Sequence, residues 1–228
     1  MKTVLLTCTL VFLTTIMIAQ WNITPEIGFA SVRAGKVDFT HTISYRDVGR
    51  SSWSRTDFTG VMSSPSVGIT TEYSIPDSRF SLGGRASAVR RSTTYINNSG
   101  REVNGMFVND RPIDSRLYFV DARAYLKYSI KLPVFWRVSL AAGPAMAWSQ
   151  LEYTSLREQV YNNDALITEN ELSTTVYNTV IGGFMELSSD FRFSDRIGIR
   201  GAIGHAVYAN SHVQHRNLSL TTGLTIYL

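Results

Sequence analysis

The side chains best suited to acid–base chemistry or metal ligation in this 228-residue chain are its four histidines, His41, His205, His212 and His215. The last two sit in the polar stretch NSHVQHRN. Asp47, Asp57 or Asp164 from other polar stretches would be needed to complete a metal site or a proton-transfer pair. The spacing argues against both. No serine–histidine arrangement and no paired aspartates stand at a defined interval, and histidines in polar connections are ordinarily solvated. His205 shares a face with Ile199, Ile203 and Val207. The glycine pairs Gly83-Gly84 and Gly182-Gly183 fit strand curvature rather than a phosphate loop. The sequence therefore presents no catalytic residue, no cofactor-binding residue and no metal ligand set, and predicts a protein that is not an enzyme.

A second set of reactive groups is patterned differently. In RLYFVDARAYLKYSI, Asp121, Arg123 and Lys127 alternate with Val120, Ala122, Ala124 and Leu126. Glu26, Glu72, Arg85, Arg137, Glu186 and Arg200 fall on the same parity in other alternating stretches. Both signs are present. If that face is enclosed, each charge needs a partner, because an unpaired buried charge is costly. The pattern predicts a ladder of ion pairs filling a narrow interior and leaving no wide pore. Small residues on the same face, among them Gly28, Gly143, Gly182 and Gly204, leave room for the long side chains. A small gated channel built on the same charges is the alternative.

The elements that must position these charges are strands with period-two alternation. Eight are legible: residues 23–32, 66–75, 80–95, 116–130, 135–153, 174–188, 192–209 and 217–228. Short connections at 76–79, 131–134 and about 189–191 alternate with long ones at 33–65, 96–115, 154–173 and 210–216. An up-and-down antiparallel sheet puts alternate connections at opposite ends, so one end carries tight turns and the other long loops. The third long connection could hold a short helix. In the best-patterned strands one face is consistently apolar and the other small, polar or charged. Trp136 and Trp148 share an apolar face, and Tyr118 and Tyr128 bracket another. At the usual strand rise and tilt the two tryptophans lie roughly 30 Å apart along a membrane normal, suiting aromatic girdles at two interfaces. The fold class expected is all-β: an eight-stranded antiparallel up-and-down transmembrane β-barrel. A secreted lipocalin-like binding barrel, with the apolar face inward, is the soluble alternative.

Composition agrees. Apolar residues make up 44%, and the formal net charge is +4 with no basic cluster, which gives no case for a nucleic-acid surface. Mean hydropathy is −0.03. Met1–Ala19 reads as a cleavable signal peptide: Lys2, an apolar run from Val4 to Ile18, then a small residue. Residues 20–228 form the barrel domain. Cys8, the single cysteine, lies in the leader, so disulfides are excluded from the exported chain. In the first long connection, Tyr45, Trp53 and Phe58 lie among arginines and serines, a composition that favours contact with a partner.

The opening strand ITPEIGFASV, the stretches VGITTEYSI and FSLGGRASAV, and the terminal LSLTTGLTIYL together resemble the small outer-membrane β-barrel proteins of Bacteroidota-type bacteria, related in architecture to OmpA/OmpX-like eight-stranded barrels. The resemblance covers residues 21–228. It implies insertion by the barrel assembly machinery, contact with outer-membrane lipid and lipopolysaccharide, both termini in the periplasm, and a monomer. It implies no single activity. Roles in the group include envelope integrity, adhesion, partner binding and secretion-system assembly. No further domain is expected after the eighth strand. The chain departs from the family's aromatic final residue, ending in Leu228 after an inward Tyr227.

Overall fold

The structure is a computed structural model. It describes residues 20–33, 36–46, 49–58, 62–95, 101–103, 106–108, 113–132, 135–162, 165–209 and 215–228. The leader expected at Met1–Ala19 lies outside them. The strands are β1 (Gln20–Arg33), β2 (Lys36–Tyr45), β3 (Gly49–Phe58), β4 (Met62–Ser74), β5 (Phe80–Tyr95), β6 (Arg101–Val103), β7 (Met106–Val108), β8 (Ile113–Lys131), β9 (Trp136–Asn162), β10 (Ala165–Arg192), β11 (Ile197–Ala209) and β12 (His215–Tyr227). Eight of these close a ring, β1-β4-β5-β8-β9-β10-β11-β12, and β12 pairs antiparallel with β1. Closure pairs the backbone groups along every strand, which is the requirement hydrocarbon imposes on a sheet.

Alternation dictates which face meets the surroundings. Ile27, Ile181 and Leu220 are 65%, 67% and 61% exposed, values that in a soluble barrel would belong to polar residues. Val67, Leu126, Met146, Ile203 and Leu224 continue this outward apolar belt. The lipocalin-like alternative needs these residues inside, and the structure places them outside. Aromatic pairs rim the belt. Trp21–Tyr73, Phe80–Tyr128 and Phe191–Phe193 have ring centroids 5.5, 5.2 and 5.1 Å apart near the turn end. Trp148–Tyr177 lie 6.2 Å apart near the loop end.

At the turn end, the Ile75 amide bonds to Phe80 O, Leu132 to Trp136 O and Phe193 to Ile197 O. The Leu228 amide bonds to Trp21 O at this same end. The turn expected near residues 189–191 is instead at 193–196, where the Ser194 hydroxyl accepts from the Arg196 and Ile197 amides. A side chain able to cap the turn decides its position, so Asp190 stays in β10 with its side chain inward.

The loop end departs further from expectation. The segment read as a candidate helix is strand: β9 and β10 run on as a two-stranded ribbon paired up to Asn162 and Ala165. Its charges explain why. Arg157 contacts Glu171 at 2.5 Å and Glu169 at 3.7 Å across the ribbon, and Gln159 donates to Glu169. Cross-strand pairs of this kind stabilise a ribbon without apolar alternation. At the usual rise, β9's 27 residues extend about 90 Å, far more than a belt of about 25 Å requires. The β2–β3 hairpin then docks on this ribbon. β2 runs parallel to β9 from Thr40↔Leu156 to Tyr45↔Tyr161, the edge that β8 leaves free above Tyr153.

Candidate functional site: the barrel interior and the loop-end sheet

Inward positions carry the buried charges. Five carboxylates, Glu26, Glu72, Asp121, Glu186 and Asp190, face four cations, Arg85, Arg123, Lys127 and Arg200, all less than a tenth exposed. They form three connected layers. Nearest the turns, Lys127 Nζ lies 2.9 Å from Glu72 and 3.1 Å from Asp190, while Tyr125 donates to Glu72 at 2.8 Å. In the middle, Glu186 accepts from Arg85 Nη1 at 2.6 Å and Arg200 Nη2 at 2.7 Å. Glu26 accepts from the Thr70 hydroxyl at 2.8 Å and lies 3.1 Å from Arg85 Nε. Nearest the loops, Asp121 accepts from Arg123, Tyr208 and Asn217 at 2.6, 2.9 and 3.1 Å, and from Ser87.

Two arginines join the layers. Arg200 reaches from β11 to Glu72 on β4 at 2.5 Å as well as to Glu186 on β10, crossing the lumen. Arg123 links Asp121 to Glu186, whose oxygen lies 3.9 Å from its Nη1. Small residues on the facing walls admit these side chains: Ser139, Ala141, Gly143 and Ala145 on β9, and Ser219 and Thr221 on β12. At Gly143 a Cβ would run into the Ala124 carbonyl.

Of the inward charges read from parity, the structure joins Glu26, Glu72, Arg85, Asp121, Arg123, Lys127, Glu186 and Arg200 in this network. Arg137 is not joined to it. It stands half-buried at the turn-end mouth, with Lys131 opposite it on β8 and Asp190 opposite it on β10. Asp190 belongs to the network and was missed because its strand was ended too early. A second feature was also missed. The inward face nearest the loops is apolar rather than polar: Val32, Val89, Leu117, Phe119 and Leu151 cluster there. Phe119 meets Tyr208 edge-on at 6.1 Å, and Phe184 meets Tyr125 at 5.9 Å while Arg123 lies over its ring. The interior is thus an ion-paired plug capped by an apolar one.

The aromatics singled out for interfaces, Tyr118, Tyr128, Trp136 and Trp148, all point outward. Arg90 lies over the Tyr118 ring at 5.3 Å, and the Trp136 indole donates to Ser189. Among the candidate binding residues, Tyr45 stacks on Tyr161 at 5.3 Å and 23°, so it secures the hairpin to β9. The backbone places Trp53 and Phe58 on β3. Their side chains lie outside the described residues, as do His212 and the acidic partners suggested for it. His205 points outward from β11.

The ring, its outward apolar belt and its charged interior can be set beside known proteins. No protein-family model matches the chain, and no curated protein matches it. Solved structures do. A major outer membrane protein from Thermus thermophilus superposes with a TM-score of 0.51 at 9% identity, covering 92% of this chain and 99% of that one. Outer membrane protein OprG from Pseudomonas aeruginosa gives 0.48 at 8% identity over 92% and 96% of the two chains. Neisserial surface protein A gives 0.47 at 10% over 90% and 96%. The fold is that of the outer-membrane β-barrels.

Proposed function

We propose that this chain is a non-enzymatic outer-membrane barrel whose interior is closed and whose loop-end sheet meets a partner outside the cell. The observation that supports it is the network spanning the lumen: Arg200 and Arg85 each bridge strands on opposite walls, and the apolar cluster lies above them. A lumen filled in this way holds the barrel rigid and leaves binding to what it carries above the membrane. There the β9–β10 ribbon and the docked β2–β3 hairpin make a sheet with β10 and β3 at its edges.

In this reading Met1–Ala19 is removed on export, residues 20–228 are inserted by the barrel assembly machinery, and the turn end with both termini faces the periplasm. The belt contacts outer-membrane lipid and lipopolysaccharide as a monomer, in the manner of the small Bacteroidota-type barrels its strands resemble. Envelope integrity, adhesion and partner binding are the roles such a scaffold serves. Two measurements test it. Cell fractionation should recover a heat-modifiable band in the outer membrane, and a soluble periplasmic product would overturn the placement. In planar bilayers the purified chain should give no stable openings; reproducible single-channel steps would overturn the closed interior.

A further inference from the structure

Beneath the layer held by Lys127, Glu72 and Asp190, the lumen opens at the turn end into a cup of about 420 Å³. Its upper wall is hydroxylic. Ser81 and Ser129 line it, and Ser129 shares a hydrogen bond with Ser139 at 2.9 Å. Its rim is cationic: Lys131 at the end of β8, Arg137 at the start of β9, and Arg79 from the β4–β5 turn, which also donates to Tyr128 at 3.2 Å; among the described lining residues the carboxylate is that of Asp77. In the ceiling, Asp190 is the cross-strand neighbour of Arg137 on β10, but its carboxylate pairs with Lys127 at 3.1 Å, and Glu72 pairs with Lys127 and Arg200.

Lys131 and Arg137 are direct cross-strand partners. Like charges so placed repel, and among the described residues neither has a carboxylate within ion-pair distance. A cup open only toward the turns, hydroxyl donors and two facing cations are what a small multivalent oxyanion completes. A guanidinium fork with hydroxyls beside it suits a tetrahedral phosphate, whose several oxygens accept at once. The size is that of an ordinary small-molecule site.

We infer that the turn-end mouth is a binding site for a phosphate-bearing small molecule, held by Lys131 and Arg137 with Arg79 at the rim. The site takes its ligand from the turn side and passes nothing through. This last point rests on the closed interior proposed above, but the two fail separately: conductance tests the ceiling and calorimetry the cup.

The probe is inorganic pyrophosphate, titrated calorimetrically into the folded chain in a non-ionic detergent at low salt. One saturable site is expected. Lys131→Gln and Arg137→Gln should each weaken it at least tenfold, while Arg90→Gln on the outer face leaves it unchanged. Heat-modifiable gel mobility confirms that each variant is folded. Pyrophosphate should also raise the thermal midpoint of the unaltered chain and not that of the Lys131→Gln/Arg137→Gln double variant. Absence of saturable binding overturns the site. So does binding that survives both substitutions, and malonate binding as tightly as pyrophosphate overturns the phosphate assignment.

Discussion

Replacing Arg200 by Met is the sharpest test of the interior. The guanidinium is 2% exposed and contacts Glu72 at 2.5 Å and Glu186 at 2.7 Å. Methionine keeps much of the stem and removes the charge. Breaking a buried pair by deleting one partner costs about 3–5 kcal/mol, because the other partner stays buried and uncompensated. Here each orphaned carboxylate keeps some support: Glu72 retains Lys127 and Tyr125, and Glu186 retains Arg85. The expected loss is therefore near the lower bound, about 3 kcal/mol, or a factor of roughly 150 in the folding equilibrium. Urea titration of the barrel in detergent micelles, followed by tryptophan fluorescence and gel mobility, measures it. Adding Glu186→Gln to Arg200→Met should recover more than about 1 kcal/mol relative to additivity, since the two sites share a contact. Arg90→Met serves as the outward control, where loss of a cation–ring contact costs about 0.5–1 kcal/mol. If Arg200→Met costs no more than Arg90→Met, the network does not hold the barrel and the reasoning fails.

Two further outcomes probe the walls. Gly143→Val places a side chain against the Ala124 carbonyl and should destabilise the barrel by about 1–3 kcal/mol or block its assembly, read as loss of the heat-modifiable band. Ile203→Arg, at the outward midpoint of β11, should cost about 2–4 kcal/mol in a bilayer and far less in urea-softened micelles; equal cost in both would mean that this face does not meet hydrocarbon.

The outward face was legible because a strand's period is two, and one parity assigns every side chain in it. Val120 to Ile130 and Leu218 to Leu228 needed nothing more. Parity also put the charged side chains inward, but their partners depend on register between strands, which local sequence does not carry. That is why Arg137 reads like Arg200 yet stands apart from the network, while Asp190 falls in a turn that the sequence places about four residues early. The ribbon above the belt was illegible for another reason. Outside hydrocarbon nothing forces apolar alternation, so Arg157, Gln159, Glu169 and Glu171 look like loop although they pair across strands.

The parallel pairing of β2 with β9 brings residues 40–45 beside residues 156–161. That surface is a discontinuous epitope. No linear peptide from either segment reproduces it, and a receptor or antibody that reads it reports on the assembled chain. It also sets an order of events. The hairpin is made before β9 in the chain but cannot dock until β9 is in place, so this contact, with its long loop to close, is among the last to form. A binder raised to the composite patch would thus discriminate fully assembled barrels from those arrested with the ring still open.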